Sequence, residues 1–303
     1  GAGATMIRER AHAKVNLLLH VGRPRDDGLH AICSLFASVD LADELRIEEA
    51  RAPRHEGGDV VVCPDVPEPN LVHRALEAFR TAAALDLPPL RVEIDKRIPV
   101  AGGLGGGSAD AAAALRAANE LAGRPLDAAG LRALGARVGA DVPSQVVPGH
   151  AVVSGAGEQV EPVALAPMWL VLRPQPFGLS TAEVSREADR IDSTRSQLDV
   201  DAVRTAAGAP ADELAGVLEN DLEPAALSLR PELRAVLDEL ADRGALAAHV
   251  TGSGPTAFGL FADRPGAERA AAAIPGALVT AVRETDRGHR EAWAARVTEA
   301  SGR

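Results

Sequence analysis

The sequence predicts an α+β fold, because patterns typical of strands and of helices are mixed along the whole chain. Strands are indicated by apolar runs and by alternation with a period of two, and helices by runs of Ala and Leu that follow capping residues. Both patterns occur in both halves of the chain. Separate domains of strands and of helices would instead confine each pattern to one part of the chain. The 303 residues are enough for one large domain or two ordinary ones.

The first half of the chain contains a regular series of predicted elements. An apolar run predicts one buried strand, and alternating patterns predict two half-buried strands. Asn70 is predicted to cap a helix that continues through Arg80. A segment rich in Pro, Gly and charge indicates a loop in which one short strand is possible. The predicted strands are residues 13–21, 43–48, 60–62 and 90–96.

The second half continues the mixture of helices and strands. Asp127 is predicted to cap a helix that reaches about Val138 and ends at Gly139. Two later helices are predicted, and Gly244 stops the second of them. The predicted helices are residues 211–219 and 231–243, and the predicted strands are residues 151–153, 169–172 and a strand–turn–strand unit at 249–261.

A boundary between two domains is predicted near residues 155–165, where two glycines and a proline cluster. We interpret Met6 as the native first residue. The expected N-terminal domain is therefore residues 6–158, and the expected C-terminal domain is residues 159–303.

Composition argues against several classes of function. The formal net charge of −11 gives no sign of a basic face, so we expect no nucleic-acid partner. No apolar run reaches membrane-spanning length and no signal peptide is visible, so we expect a cytoplasmic protein without a membrane partner. Cys33 and Cys63 form no CxxC pair, which argues against a disulfide scaffold or a zinc site. The sequence does not indicate an oligomeric state.

Residues 102–107 contain five glycines between a predicted strand and a predicted helix. Glycine permits positive φ and a close approach of the backbone to a ligand, and successive free N–H groups can bind an anion. Ser108 is expected to open the helix, whose N-terminus adds further donors and a favourable dipole. A polyphosphate ligand is therefore favoured over a purely structural turn. The segment matches neither a Walker A motif nor a dinucleotide-binding GxGxxG.

Three other segments carry polar residues that fit a site. Lys14 and Asn16 lie two residues apart in a predicted strand and therefore share a face. Lys14 and Lys96 are the two lysines of an Arg-rich chain, which hints that a compact ammonium is needed there. Residues 251–255 place two glycines around a serine, which is typical of a turn and also suits a phosphate contact. Asp141 follows a predicted helix end, where a loop acid that caps a turn is the simpler interpretation.

Together, and in this order, these segments resemble the motifs of the GHMP kinases, and most closely those of the diphosphocytidyl-methylerythritol kinases within that superfamily. The resemblance covers nearly the whole chain from Met6 onwards, and its motifs are specific as a set. The matching segments are Ala13-Lys14-Val15-Asn16-Leu17, Asp27-Gly28-Leu29-His30, Ile94-Asp95-Lys96-Arg97-Ile98-Pro99, Gly102 to Ala112, Gly139-Ala140-Asp141-Val142-Pro143, Asn220-Asp221-Leu222-Glu223 and Gly252-Ser253-Gly254.

The resemblance implies a fold of two lobes with the active site between them. The N-terminal lobe would be ribosomal protein S5 domain 2-like and the C-terminal lobe ferredoxin-like. The implied activity is ATP-dependent phosphorylation of a hydroxyl on a small-molecule substrate, diphosphocytidyl-methylerythritol, with Mg²⁺ accompanying the ATP. Asp141 would be the base or the orienting acceptor for that hydroxyl, and Lys14 would counter charge on the transferring group. Ser108 would be a candidate metal ligand.

The resemblance also implies which residues contact each ligand. The glycine-rich segments would hold the nucleotide, and residues beside Lys14 and His30 would hold the acceptor substrate. The implied ATP-binding residues are Pro99, Gly102, Gly103, Leu104, Gly105, Gly106, Gly107, Ser108, Ala109, Gly252, Ser253 and Gly254, and the implied substrate-binding residues are Asn16, Leu29, His30 and Asp141.

The sequence departs from the family where the family holds the cytosine base between aromatic side chains. Leu29 stands where the family has Tyr, and Ser185 stands where it has a second aromatic residue. Two alternatives therefore stay open. The chain could be a GHMP kinase for another small alcohol, or a catalytically silent metabolite-binding regulator on the same scaffold. Retention of both Lys14 and Asp141 argues against the regulator, which needs neither residue.

Overall fold

Two long antiparallel strands run through the centre of the N-terminal sheet. β1 (Ile7–Pro24) pairs with β2 (His30–Glu49), and Lys14 lies opposite Ser38 in their register. Residues 11–22 of β1 are all buried, because three hydrophobic clusters pack against the strand. The predicted strand at residues 13–21 is therefore the buried centre of a longer one.

The structure is a computed structural model that describes residues 6–26, 28–50, 58–64, 66–83 and 87–283. Asp27, which belongs to the motif before His30, lies outside the described residues. No helix in the described part of the chain combines the length and the apolar character needed to cross a membrane.

Five further strands complete the N-terminal sheet: β3 (Val60–Val62), β4 (Leu90–Asp95), β5 (His150–Gly155), β6 (Gln159–Val163) and β8 (Glu219–Asn220). The main order is β3-β4-β2-β1-β8. The long β2 pairs with β4 through its C-terminal half and with β5 through its N-terminal half, and β6 continues from β5. Between these two stretches, residues 37–43 of β2 pair with neither β4 nor β5, and Ser38, opposite Lys14, lies in this part.

The C-terminal sheet has four antiparallel strands: β7 (Trp169–Arg173), β9 (Ala247–Val250), β10 (Ala257–Phe261) and β11 (Leu278–Ala281). Their order in the sheet is β11-β7-β10-β9. Counted along the chain, this is the order four-one-three-two of a ferredoxin-like sheet. The α+β class and the ferredoxin-like C-terminal sheet are therefore confirmed.

Helices cover both sheets and form the connections between strands. Asn70 and Asp127 cap their helices as predicted, because their side chains accept from Val72 N at 3.0 Å and from Gly130 N at 2.7 Å. The helices are α1 (Leu71–Ala83), α2 (Gly106–Leu121), α3 (Ala128–Val138), α4 (Val142–Val146), α5 (Thr181–Arg190), α6 (Val200–Ala207), α7 (Ala211–Ala215), α8 (Glu223–Leu229), α9 (Leu233–Asp242) and α10 (Arg264–Ala273).

The helix predicted at residues 211–219 is wrong in its second half. α7 ends at Ala215, and Gly216 closes its last turn by donating to the carbonyl of Glu213 at 3.1 Å. The chain then extends and pairs with β1 as β8. Long-range pairing with β1 therefore overrides the local helical pattern of this segment.

The division into domains at residues 6–158 and 159–303 stays a prediction. The hairpin of β5 and β6 spans this position, since β6 pairs with β5 from Gln159 to Val163. The chain changes from one sheet to the other between Val163 and Trp169.

Asn220 joins the two sheets. It lies in β8 beside β1, and its Nδ2 donates to the carbonyls of Val250 at 2.7 Å and Gly252 at 2.9 Å. Its Oδ1 accepts from the backbone N–H of Leu222 at 2.9 Å. Three backbone groups of two other segments are thus satisfied by one buried side chain.

We predict that Asn220→Ala lowers the free energy of unfolding by about 2–4 kcal/mol, because it leaves buried backbone groups without partners. Urea denaturation measures the change. Asn119→Ala is the comparison, since Asn119 bonds only to the backbone of Leu126, at 2.8 Å and 3.0 Å. We expect the smaller loss there. A loss below about 0.5 kcal/mol for Asn220→Ala would show that water replaces the side chain fully.

Candidate active site

The glycine-rich loop that follows β4 occupies a gap too narrow for side chains. Gly103 and Gly105 have φ of 77° and 67°, in the left-handed region that glycine tolerates. A Cβ on Gly103 would lie 2.6 Å from the carbonyl oxygen of Thr251, and one on Gly105 would lie 2.9 Å from Cγ of Lys14. The loop therefore needs glycine because it passes between β1 and the turn at residues 251–255.

The loop leads directly into α2, but Ser108 does not open that helix as the sequence predicted. α2 begins at Gly106, and Gly105 is the residue before it, with no side-chain cap. The first helical hydrogen bond runs from Ala109 N to the Gly105 carbonyl at 2.9 Å, so the N–H groups of residues 106–108 precede it. These groups and the helix dipole form a natural site for an anion.

A cavity of about 420 Å³ lies over this loop. Its lining includes apolar side chains, among them Val66, Leu71 and Ile94, the glycine loop itself, and the charged side chains of Lys96 and Asp110. Such a cavity suits a flat apolar group joined to phosphates. Of the predicted nucleotide-binding residues, Pro99, Gly102, Gly103, Leu104, Gly105, Gly106, Gly107 and Ser108 line it.

The remaining predicted nucleotide residues lie elsewhere. Gly252 and Ser253 line the neighbouring cavity, and Ala109 and Gly254 line neither of the two. Ala109 is buried at the start of α2, and the carbonyl of Gly254 packs against Gly103. Ala109 and Gly254 therefore contribute to the shape of the loop.

The neighbouring cavity, of about 850 Å³, contains the predicted substrate-binding residues. Asn16 and Asp141 lie at the end beside the glycine loop, and Leu29 and His30 are also in its lining. Gly103, Gly105 and Thr181 line both cavities, so the two meet at the loop. We call the smaller one the nucleotide cavity and the larger one the acceptor cavity.

Lys14 lies at the junction of the two cavities. Its Nζ is 3.4 Å from Oδ2 of Asp141, donates to Oδ1 of Asn16 at 2.6 Å and lies 4.7 Å from the ring centroid of Phe36. Lys14 is 6% exposed, whereas the side chain of Asp141 is 34% exposed and so remains open to a ligand. The buried ammonium and the accessible carboxylate form a pair at the point where a phosphate and a hydroxyl can meet.

The amide of Asn16 holds this end of the site in place. Its Nδ2 donates to Ser34 Oγ at 2.9 Å, and its backbone N–H donates to Thr251 Oγ1 at 3.0 Å. β1, β2 and the turn at residues 251–255 are thereby connected through one residue. The shared face of Lys14 and Asn16 predicted from their spacing is consistent with the contact between their side chains.

Thr181 and its helix were not predicted from the sequence. Thr181 is the first residue of α5, and its hydroxyl lies 3.0 Å from Ser253 Oγ. His30 also contacts α5, since its Nε2 lies 2.9 Å from Oδ1 of Asp189. α5 therefore forms one wall of the acceptor cavity along its length.

A buried cluster of charges lies behind the glycine loop, around the second lysine. Lys96 Nζ donates to a carboxylate oxygen of Asp43 and to Asp110 Oδ2, the latter at 2.9 Å. Asp43 Oδ1 also accepts the backbone N–H groups of Arg97 and Ile98. Asp110 Oδ1 is buried and has no partner among the described residues. Asp43 is therefore the better satisfied of the two carboxylates.

This difference between the two carboxylates affects the pKa of Asp110. Burial raises its pKa to about 7; the charge of Lys96 opposes this rise, and the charge of Asp43 adds to it. Because the folded state then favours the protonated form, the stability from this group is present below the ordinary Asp pKa near 4. That stability is lost as the pH rises through about 7.

Two sequence profiles match the chain. That described as GHMP kinases N terminal domain matches residues 70–149, and that described as GHMP kinases C terminal matches residues 200–280. The two-lobed fold, the glycine loop and the Lys14–Asp141 pair accordingly define an ATP-dependent small-molecule kinase of the GHMP superfamily.

The 4-diphosphocytidyl-2-C-methyl-D-erythritol kinase of Pelotomaculum thermopropionicum is 40% identical over 88% of this chain and 93% of its own length. The enzyme of the same name from a Nocardioides species is 41% identical over 88% of this chain and 93% of its own length. A crystal structure of 4-(cytidine 5'-diphospho)-2C-methyl-D-erythritol kinase is 34% identical, has a TM-score of 0.77, and is matched over 92% of this chain and 100% of that one. The chain therefore belongs to the 4-diphosphocytidyl-2-C-methyl-D-erythritol kinase family.

We predict that Asp110→Asn changes how stability depends on pH. The variant removes the group that binds a proton in the folded state, so its stability relative to the wild type should rise between about pH 4 and pH 7. The expected relative gain is on the order of 2 kcal/mol. Urea denaturation across this range measures it. The exposed Asp238→Asn variant is the control and should show no such trend, and a pH-independent difference for Asp110→Asn would contradict the assignment.

Proposed function

We propose that this protein transfers the γ-phosphoryl group of ATP to a hydroxyl of 4-diphosphocytidyl-2-C-methyl-D-erythritol, in the non-mevalonate route to isoprenoid precursors. The observation that carries the proposal is that two cavities meet at a glycine loop suited to phosphates, with the Lys14–Asp141 pair in the lining of the larger cavity beside that loop. The names of the curated relatives supply the substrate.

In this mechanism the chain mainly positions the reactants and stabilises charge. ATP lies in the nucleotide cavity, with its phosphates on the N–H groups of residues 106–108. Asp141 accepts the proton of the acceptor hydroxyl as that oxygen bonds to the γ-phosphorus. The bond from phosphorus to the bridging oxygen of ADP breaks, and Lys14 offsets the charge on the transferring group.

Mg²⁺ would accompany ATP and offset charge on its phosphates. Among the described residues no cluster of three His, Cys, Asp or Glu side chains could hold a metal. Mg²⁺ in phosphate sites keeps several waters and takes one or two protein ligands, so such a cluster is not required. Ser108 lines the nucleotide cavity in the first turn of α2 and would supply one oxygen.

A kinase for a different small alcohol is the second candidate, and one observation favours it. Leu29 is 54% exposed and Ser185 lines the same cavity, at positions where the family has aromatic rings. The contact between Lys14 and Asp141 argues against the third candidate, a silent regulator. Steady-state turnover of the cytidylated substrate, compared with methylerythritol phosphate that lacks the cytidylyl group, separates the two kinases. Preference for the smaller alcohol would reject the proposed substrate.

We predict that Asp141→Asn lowers kcat by roughly 100- to 10,000-fold, because the amide cannot accept the proton. ATP binding, measured by titration calorimetry with a non-hydrolysable analogue, should stay within about threefold, since Asp141 is not part of the phosphate loop. Thermal denaturation should confirm that the variant is folded. Turnover close to that of the wild type would remove Asp141 from the mechanism.

We predict that Leu29→Tyr lowers the Michaelis constant for the cytidylated substrate. An aromatic ring stacks on a base better than Leu does, and the gain should be about 1 kcal/mol, or roughly fivefold. The Michaelis constant for ATP should not change, because Leu29 does not line the nucleotide cavity. A higher Michaelis constant for the cytidylated substrate would mean that this end of the cavity has been reshaped for another ligand.

A further inference from the structure

One face of α5 extends along the acceptor cavity from its reaction end. Thr181 contacts the turn at Ser253 and lines both cavities, so it marks that end. A helix rises about 1.5 Å per residue, which places Arg186 about 7.5 Å and Asp189 about 12 Å further along the wall. The residues of α5 in the cavity lining are Thr181, Ala182, Ser185, Arg186 and Asp189, a spacing that puts them on neighbouring positions of one helix face.

Three cationic or ionisable basic side chains line this cavity, and two of them have acidic partners. Lys14 contacts Asp141, and His30 contacts Asp189. Arg186 has no carboxylate within ion-pair distance in the part of the chain that the structure describes. Its recorded hydrogen bond is from Nε to the carbonyl of Ala182 at 3.2 Å. The other guanidinium nitrogens are therefore able to bind a ligand.

The bond to Ala182 gives this guanidinium a direction. Ala182 lies one turn towards the N-terminus of α5, so the side chain of Arg186 leans back towards Thr181 and the reaction end. The helix N-terminus there contributes a positive potential of its own. Arg186 is an exposed residue of the acceptor cavity lining, and its position along α5 falls between Thr181 at the reaction end and Asp189, the partner of His30.

The proposed substrate carries a diphosphate in the matching position. Only a few bonds separate the diphosphate from the methylerythritol hydroxyls, and the cytidine extends beyond it. With a hydroxyl at Asp141, the diphosphate falls in the first turns of α5, and the base reaches towards Leu29 and His30. A diphosphate that loses its hydration on binding needs cationic side chains nearby. The planar guanidinium of an arginine can donate two parallel hydrogen bonds to a pair of phosphate oxygens.

We propose that Arg186 binds the diphosphate of the acceptor substrate and so sets which hydroxyl reaches Asp141. The inference rests on the proposed function, since a substrate without the diphosphate would not need this contact. Arg186 is a specificity-determining residue in this scheme, and it compensates for weak contacts to the base at Leu29 and Ser185.

The test compares Arg186→Gln and Arg186→Lys with a matched control, Arg190→Gln. Arg190 lies one turn further along α5, is paired with Glu187 at 2.7 Å and does not line the acceptor cavity. Arg186→Gln should raise the Michaelis constant for the cytidylated substrate by about 10- to 100-fold, the usual weight of a hydrogen bond to a charged group. The Michaelis constant for ATP should not change, Arg186→Lys should recover part of the loss, and Arg190→Gln should match the wild type.

Inhibition by CDP and by cytidine separates a phosphate contact from a base contact. Arg186→Gln should weaken inhibition by CDP by a factor similar to that for the substrate and leave inhibition by cytidine unchanged. Equal weakening of both inhibitors would mean that Arg186 stacks on the base and would overturn the proposal, as would an unchanged Michaelis constant. If the wild type neither phosphorylates nor binds the cytidylated substrate, the proposed function itself fails. If the wild type is active and Arg186→Gln has the same Michaelis constant, only the proposal for Arg186 fails.

Discussion

The fit of the glycine loop between β1 and the turn at residues 251–255 determines the rest of the site. Backbone hydrogen bonds hold the loop on both sides, from Lys14 N to the Leu104 carbonyl at 3.0 Å and from Thr256 N to the Gly102 carbonyl at 3.3 Å. Side chains at Gly103 and Gly105 would collide with these neighbours. Because the contacts come from both sheets, the phosphate loop, the Lys14–Asp141 pair and the start of α5 meet at one point only when the two lobes are packed together.

The two lysines have different electrostatic environments around this loop. Lys96 is shared by two buried carboxylates, so the cluster behind the loop has no excess of positive charge to offer a nucleotide. Lys96 lines the nucleotide cavity with its charge already shared, so we expect the attraction for phosphate to come from the N–H groups at the start of α2 and from Lys14. This arrangement lets Lys96 connect Asp43 of β2 to Asp110 of α2, while Lys14 remains beside Asp141.

Sequence reasoning predicted those parts of the candidate site whose signal is local, and the structure brings them close together. The glycine loop, the spacing of Lys14 and Asn16, and the position of Asp141 after a helix end are all visible within a few residues. Apart from Ser185, which the family resemblance placed beside the base, the role of α5 was not predicted, because its segment is polar and its importance depends on Thr181 meeting Ser253, far away along the chain. Asp43 and Asp110 were missed for the same reason, since only folding brings them to Lys96. The extended length of β1 and β2 likewise depends on their pairing.

Different parts of the acceptor cavity offer different kinds of side chain to the acceptor substrate. Leu29 offers an apolar side chain and His30 an imidazole, while Ser185 offers a small hydroxyl on α5 directly before Arg186, so the proposed contacts to a base have limited area. The middle offers a guanidinium, whose attraction for a diphosphate depends on charge and on fork geometry. With the proposed contact at Arg186, we expect affinity in this chain to depend more on the phosphates than on the base. Because the phosphates are joined to the methylerythritol by a short chain, a diphosphate bound at Arg186 would also set the distance from the hydroxyls to Asp141, so the proposed contact would supply both binding and the choice of hydroxyl.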